Sequence, residues 1–438
     1  MGRPRETAVE DFRQGDRMSV KPIVIVGAGL AGLCCARQLR TRGIDILVVE
    51  AEDDIGGRVR TDLVNGFRLD RGFQVLQTAY PEAQQVLDYQ ALDLRPFEPG
   101  ALIHTRGRLV RMSDPWRRPW HAFSTVWNGI GTVADRWKLA RLRRHVSQGT
   151  LDTLWSEPDS TTADYLNHEL GLSADLIERF LRPWFSGVFF EKELATSSRF
   201  FKFVFRMFAC GDAALPGPGM GAIAKQLANG LPTDMLRIST RVESLDGLCV
   251  RFATGETIAA RGVVLAVEGP EAARLTGGLV PCPDSCATTC LYFAAEKSPV
   301  SEPILVLNGD GLGPINHLCV PSDVAAHYAP SGQALISVSV VGATAENPQE
   351  LAVAVRRQLR DWFGSQVDRW SPLKSYSIRH ALPGQPTHFR DSPAKPQRLA
   401  EGLYCCGDHC ETASIQGAMV SGRKAAESLL SDLGISGS

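Results

Sequence analysis

The run IVIVGAGLAGLCCARQLRTRGIDILVVE, residues 23–50, restricts the fold more than any other part of the 438-residue chain. Ile23, Val24, Ile25 and Val26 form a short β-branched run of the kind that suits a strand buried in a parallel sheet. Gly27, Gly29 and Gly32 follow as G-x-G-x-x-G, residues 30–40 are good helix formers, and Gly43 stops the helix. Ile46 to Val49 reads as a second buried strand, closed by Glu50. The unit is strand, tight turn, helix, strand. Each glycine has a separate task in it. Gly27 permits the turn, Gly29 lets a pyrophosphate reach the backbone, and Gly32 lets the helix pack close on the strand. The helix N-terminus then presents unpaired N–H groups to the phosphates. Glu50 can accept hydrogen bonds from both ribose hydroxyls of an adenosine, and its charge would repel a 2′-phosphate. The spacing therefore predicts dinucleotide binding, with Ala28, Leu30 and Ala31 in the turn and Ala51 after the acid as further contacts.

The next segments narrow the ligand by resemblance. Gly56-Gly57-Arg58 with Thr61 resembles the second glycine motif of the FAD-binding amine oxidase and carotenoid (phytoene) desaturase-like flavoprotein superfamily. In that family the glycines and arginine lie along the cofactor phosphates. Two residues before the pair, where the family carries arginine, this chain has Asp54. GLYCCGDHCETASIQGAMVSGRKAAESLL, residues 402–430, resembles the segment that closes the same FAD site. It reads as a strand, a loop through Gly407 and Asp408, and a helix starting near Ser414. The resemblance implies that Asp408 bonds the ribityl chain and that Gln416, Gly417, Ala418 and Met419 lie by the flavin ring. The helix N-terminus would then stabilise negative charge on a reduced flavin. FRLDRGFQVL, residues 67–76, resembles the stretch that runs along the ring, which nominates Arg71, Gly72, Phe73 and Gln74. TRVESL, residues 240–245, resembles the strand whose valine, here Val242, flanks the adenine, and VVLAVEG, residues 263–269, brings Ala266 near the cofactor.

These matches fall at both ends and in the middle of the chain. They imply an α/β fold with a discontinuous Rossmann-like FAD-binding domain, built from 20–100, 225–275 and 390–438. A second, α+β substrate domain is expected from 101–224 and 276–389. Residues 1–19 mix both charges with little apolar material and read as a disordered tail. The first insertion, 101–224, reads as helical. The second has strand-like runs at 288–295, 304–307 and 334–342. In the last, Ile336, Val338 and Val340 alternate with Ser337 and Ser339, the pattern of a sheet with one covered face. Residues 348–363 read as an amphipathic helix opened by Pro348. GPGMG at 217–221 follows no expected strand, so a second dinucleotide fingerprint, and with it NAD(P)H as reductant, is not expected.

Nine of the eighteen phenylalanines fall between Phe180 and Phe208. Phe201, Phe205 and Phe208 share a helix face, and the cluster reads either as ordinary core or as the wall of a tunnel for a long hydrophobic substrate. Residues 106–144 carry ten Arg or Lys against two Asp, with four of the eight tryptophans. That composition makes 106–144 a candidate membrane-surface contact or a solvated helical cap. A formal net charge of −1 and the absence of a reader motif speak against nucleic acid.

The eleven cysteines are an odd set with no secretory h-region ahead of them, and read as free thiols in a reducing, cytoplasmic setting. Cys282, Cys286 and Cys290, and Cys405, Cys406 and Cys410, cluster without paired C-x-x-C spacing, so no metal is expected. No apolar run reaches membrane-spanning length. A flavin carries its own chemistry, so the lack of a nucleophile–base–acid signature is expected, and no catalytic residue is assigned. Arg182, His380, His388 and His409 are the ionisable groups that could sit near a cavity. Ser414 and Ile415 stand where amine oxidases carry aromatic residues, and the region before the tail lacks the cysteine with which some of them tether flavin. Both departures favour non-covalent FAD and a non-amine substrate. The expected activity is FAD-dependent oxidoreduction, as a dehydrogenase, desaturase or isomerase of a hydrophobic polyene or isoprenoid small molecule, with oxygen or a quinone as electron acceptor. The alternatives are an oxidase of an amine or a porphyrinogen, and a non-catalytic flavin-binding assembly factor.

Overall fold

The computed structural model describes residues 21–117, 129–281, 284–342, 347–389 and 397–435. The expected N-terminal tail lies outside them, as do Trp120 and Trp127. Ile23–Val26 sits in the middle of a six-stranded sheet in the order 236–237, 46–49, 23–26, 262–265, 403–405, 398–400. All neighbours are parallel except the last pair. A central position explains the unbroken β-branched run, because both faces are covered. Ile23 and Ile25 pack with the helix Leu30–Arg40 and the tail helix Ile415–Asp432, whereas Val24 and Val26 pack with Val242, Val250 and Phe252 of an antiparallel meander.

The two helices cross very closely. A Cβ on Gly422 of the tail helix would lie 2.1 Å from the Ala31 carbonyl oxygen. This contact brings the C-terminal segment, nearly four hundred residues away in sequence, against the first nucleotide turn.

The second body is built on a seven-stranded mixed sheet in the order 371–383, 285–295, 334–341, 317–319, 305–308, 100–105, 108–113. The helix Pro348–Phe363, capped by Asn347, covers one face through Val355 and Leu359 against Ile336, Val338 and Val340. The alternation at 334–341 suggested an open second face, and here the structure differs. All eight residues are buried, and Ser337 and Ser339 lie under the other layer, where Ser337 Oγ is 3.4 Å from Cys290 Sγ. Small hydroxyls can be covered when they find partners, so serine alternation does not by itself mean solvent.

The expectation of a wholly helical 101–224 also needs correction. Gly100–Thr105 and Arg108–Ser113 form a hairpin that extends the mixed sheet through parallel pairing of 100–105 with 305–308. Its turn is Arg106-Gly107, both at positive φ (53° and 70°), the two-residue geometry that hairpins favour. Residues 133–210 are largely helical, as expected. GPGMG is in fact preceded by a short strand, Ala213–Pro216, but that strand is antiparallel to Leu76–Gln77 and Leu94–Pro96. Gly219 and Gly221 pack on Thr61, so the segment is no second nucleotide turn.

Gly422→Ala should force the two helices apart, because the atom it meets is backbone and cannot rotate away. Overpacking of this kind costs about 1–3 kcal/mol. Denaturant unfolding of the flavin-free protein should show the midpoint falling at constant m-value, and an unchanged midpoint would refute the close crossing.

Candidate active site

The first turn is held by bare Cα atoms. Gly27 has φ of +106°, and a Cβ there would lie 2.6 Å from the Ala266 carbonyl oxygen; one on Gly32 would lie 2.0 Å from the Gly27 carbonyl oxygen. A Cβ on Gly29 meets nothing within 4 Å among the described residues. Gly29 faces the cavity at the start of a helix that no side chain caps. The second glycine segment lies alongside, with Gly56 N–H donating to the Ala28 carbonyl (2.8 Å) and a Cβ on Gly57 3.5 Å from Gly29 Cα. Glu50 is buried at the strand tip, where Oε2 accepts from Ala28 N–H (2.8 Å) and Oε1 from Glu52 N–H (2.9 Å). Each oxygen keeps a lone pair for a ribose hydroxyl. Open space at Gly29, an uncapped helix end and a fixed acid together fit the diphosphate and adenosine half of FAD. Val242, Ala266 and Ala51 line the same stretch of cavity, while Ala28 and Gly32 support the turn from beneath.

Farther along, Arg58 binds Asp408 (Nη2–Oδ1 2.7 Å) and donates to the Ala381 carbonyl (2.7 Å). The two residues nominated separately for phosphate and ribityl contacts are thus each other's partners. Gln74 donates to the carbonyls of Arg58 (2.7 Å) and Arg71 (3.1 Å), which joins the 56–61 and 71–74 segments. Arg71 reaches Asp62 (3.2 Å), which also accepts from Lys374 Nζ (2.6 Å) and Tyr376 Oη (2.8 Å). Burial works against the Asp62 charge, but these donors and cations outweigh it and draw the carboxyl down to about 2. Arg71, Gly72, Phe73 and Gln74 all line the cavity, as do Gly407 and Asp408.

The tail helix divides the nominated ring contacts by face. Ser414, Ile415 and Ala418 line the cavity. Gln416, Gly417 and Met419 do not. Gln416 Oε1 accepts from Glu82 N–H (3.0 Å), Gly417 packs on Thr412, and Met419 is fully buried. Residues at i, i+1 and i+4 share a helix face, and that spacing is the signal the motif reading passed over. Thr61 is also off the cavity, its hydroxyl donating to Asp70 (2.5 Å) and accepting from Gly221 N–H (2.8 Å).

Of the ionisable candidates, His380 lines the cavity, Arg182 is paired with Glu178 (2.7 Å), and neither His388 nor His409 lines it. His317, which no motif singles out, also lines it. Asn316 Nδ2 donates to the Pro183 carbonyl (2.9 Å), which fixes its amide, and also lies 3.0 Å from His317 Nδ1. Nδ1 is therefore an acceptor, and the proton of the neutral ring sits on Nε2. Burial pushes His317 down to about 4, so it stays neutral, and its ring lies 5.2 Å from that of Phe73.

The cavity, about 1190 Å³, continues from the glycine turns to an aromatic wall of Phe180, Trp184, Phe205 and Phe208. Trp184 is 4.9 Å from the Phe208 ring. Phe201, nominated with Phe205 and Phe208, is core. Among the cavity-lining residues Arg143 binds Asp114 (2.8 Å) and lies 5.1 Å over Trp116, and Arg117 pairs with Asp212.

The model of the family described as flavin containing amine oxidoreductase matches residues 30–430. Protoporphyrinogen oxidase 2 of Arabidopsis thaliana is 30% identical over 132 residues, 30% of this chain and 25% of that protein. Lysine-specific histone demethylase 1B of Mus musculus is 27% identical over 244 residues, 52% of this chain and 27% of that protein. The alignments thus span about a quarter of each curated relative. Among solved structures, a protein from Exiguobacterium sp. 255-15 that carries the provisional name protoporphyrinogen oxidase superposes with a TM-score of 0.73 at 18% identity, covering 95% of this chain and 99% of that one. That likeness establishes the fold.

Gly29→Ala separates ligand binding from folding. Its φ of −72° and ψ of 177° suit alanine, and no atom of the described residues stands in the way. Unfolding stability of the flavin-free protein should change by less than about 0.5 kcal/mol. FAD retention, read by ultrafiltration and flavin fluorescence, should weaken by at least about tenfold as the methyl occupies phosphate space.

Proposed function

The chain belongs to the flavin containing amine oxidoreductase family and is an FAD-dependent oxidoreductase, and from that premise we propose that it oxidises an apolar polyene or isoprenoid-like small molecule. The observation that carries this reading is the aromatic wall of Phe180, Trp184, Phe205 and Phe208, continuous with the cofactor turns in one cavity. Bound non-covalently, FAD supplies the acceptor for a hydride or electron pair. The protein supplies the rest. The glycine turns and Glu50 hold the nucleotide half, and Arg58 with Asp408 fixes the segment beside the ribityl chain. The aromatic wall takes the substrate out of water and orients it. Ser414, Ile415 and Ala418 put no aromatic side chain of the tail helix itself on the cavity, which supports a C–H donor over an amine held between rings, although Tyr80 stands beside Ser414. Of the carboxylates on the cavity, Asp62 and Asp408 are already paired with cations and offer little to a substrate ammonium. Oxygen or a quinone would reoxidise the flavin.

A porphyrinogen is the second reading. Arg117, Arg136 and Arg143 on the cavity favour it, since they would meet substrate carboxylates, and two relatives bear protoporphyrinogen oxidase names. It ranks second because Arg117 and Arg143 are already neutralised by Asp212 and Asp114.

The helix that lends Arg136, Leu139 and Arg143 to the cavity bears on substrate delivery. Val133 (62% exposed) and Trp137 (71%) stand out from the arginine-rich helix Val133–Ser147, and Trp116 (53%) lies near. Such a surface suits the headgroup layer of a bilayer from which an apolar substrate is drawn. No described helix is long and apolar enough to cross a membrane.

Anaerobic mixing distinguishes the readings. A polyene in liposomes should bleach the flavin, whereas bleaching by a porphyrinogen or an amine alone would overturn the first choice. Trp184→Ala should lower kcat/KM for the apolar donor by about tenfold, the loss of ~1.4 kcal/mol of burial, with FAD retention unchanged. In flotation with anionic vesicles, the Trp116→Ser/Trp137→Ser variant should remain in the soluble fraction; equal flotation would remove the membrane assignment.

A further inference from the structure

We propose a metal site for a thiophilic divalent cation of the zinc class, formed by Cys405 Sγ, His409 Nε2 and Cys410 Sγ immediately behind Asp408. The three ligand atoms all lie within 4.8 Å of one another. Cys405 Sγ is 3.8 Å from Cys410 Sγ and 3.5 Å from His409 Nε2. Tetrahedral zinc, with bonds of about 2.3 Å to sulfur and about 2.0–2.1 Å to nitrogen, has edges of about 3.8 Å between two sulfurs and about 3.5 Å between sulfur and nitrogen. These two separations match those two edges, and the third pair of ligand atoms lies within 4.8 Å.

The backbone explains how an unpromising spacing closes. Leu403–Cys405 ends as the innermost parallel strand of the C-terminal segment, and the chain then turns tightly through Asp408–Cys410, with Cys410 N–H donating to the Gly407 carbonyl (3.0 Å). That turn returns Cys410 to Cys405 across four intervening residues. The imidazole fits because Gly407 is bare; a Cβ there would lie 2.5 Å from His409 Cε1. Two thiolates and a neutral imidazole offset the charge of a divalent cation, which suits a largely buried position. Cys405 and His409 are buried and Cys410 is partly exposed, which leaves one side for entry and for water as the fourth ligand. The site is separate from the flavin pocket, and its occupancy is independent of which substrate is oxidised.

The test uses the FAD-loaded full chain, reduced, chelated and desalted. Titration with cobalt(II) should give thiolate-to-metal charge transfer and tetrahedral d–d absorption at longer wavelength than the flavin, saturating at one equivalent and erased by zinc. Zinc should also raise the melting temperature of the holoprotein by mass action. Cys410→Ser should abolish both responses, and Cys210→Ser, an exposed cysteine elsewhere, should leave both intact. Cys405→Ser should behave as Cys410→Ser does; should that buried variant fail to fold, the partly exposed Cys410→Ser carries the result alone. Absence of a saturable band, a band that survives Cys410→Ser, or a Cys405–Cys410 disulfide with no metal response after reduction would each overturn the site.

Discussion

The contact on which the rest of the site depends is Gly32 against the Gly27 carbonyl. At 2.0 Å from where a Cβ would stand, it permits no other residue. That approach drops the first helix onto its strand and aims its uncapped end along the cavity. The same logic recurs around it. Gly27 lies under Ala266, and Gly422 lies under Ala31. Three segments distant in sequence are thus drawn to one point, and a backbone-lined groove forms where strand tips and helix ends converge. A groove lined by backbone presents N–H groups at fixed positions, which is what a diphosphate needs and what side chains, with their rotamer freedom, supply less well.

The second constraint is electrostatic. Arg58–Asp408 ties the second glycine segment to the C-terminal turn, and Asp62 gathers Arg71, Lys374 and Tyr376 across the junction between the two bodies. Asp70 does similar work in the interior. Burial lifts its carboxyl to about 6, while Thr61, Tyr328 and the Met220 amide supply hydrogen bonds. Tyr328 and Tyr292, which donates to the Asp70 carbonyl oxygen (2.9 Å), come from the second body. The interface is therefore specified by short, partnered polar links rather than by apolar contact alone. Such links fix register well, because a slip would strand a buried charge.

What could be read in the sequence follows from the range of the interactions involved. The nucleotide unit was legible because its physics is local: β-branched run, glycine spacing, helix formers and closing acid all fall between Ile23 and Glu50. The tail was legible through Gly407, Asp408 and Ser414, again a local pattern. The failures were long-range. Nothing near Thr61 announces Asp70 and Gly221 as its partners. Nothing in HLC announces that His317 will be buried with its tautomer set by an asparagine held on Pro183. Ser337 and Ser339 imitated an exposed edge because their covering layer comes from elsewhere in the chain. The hairpin at 100–113 is hard to read because its turn signal, arginine followed by glycine, is weaker than asparagine followed by glycine.

The tail helix shows why position on a face matters more than membership of a motif. Gln416, Gly417 and Met419 belong to the pattern that identifies the segment, yet they hold Glu82, Thr412 and the core. Their work is to seat the helix, and the seated helix then presents Ser414, Ile415 and Ala418. Ser414 is tied up in this as well, since its hydroxyl accepts from Gly417 N–H (3.0 Å) and caps the helix. The surface offered to a substrate is thus small and weakly polar. Under the proposed function, selectivity at this turn rests on shape and apolar burial rather than on a charged partner from the tail helix. That is the character of the aromatic wall in the same cavity.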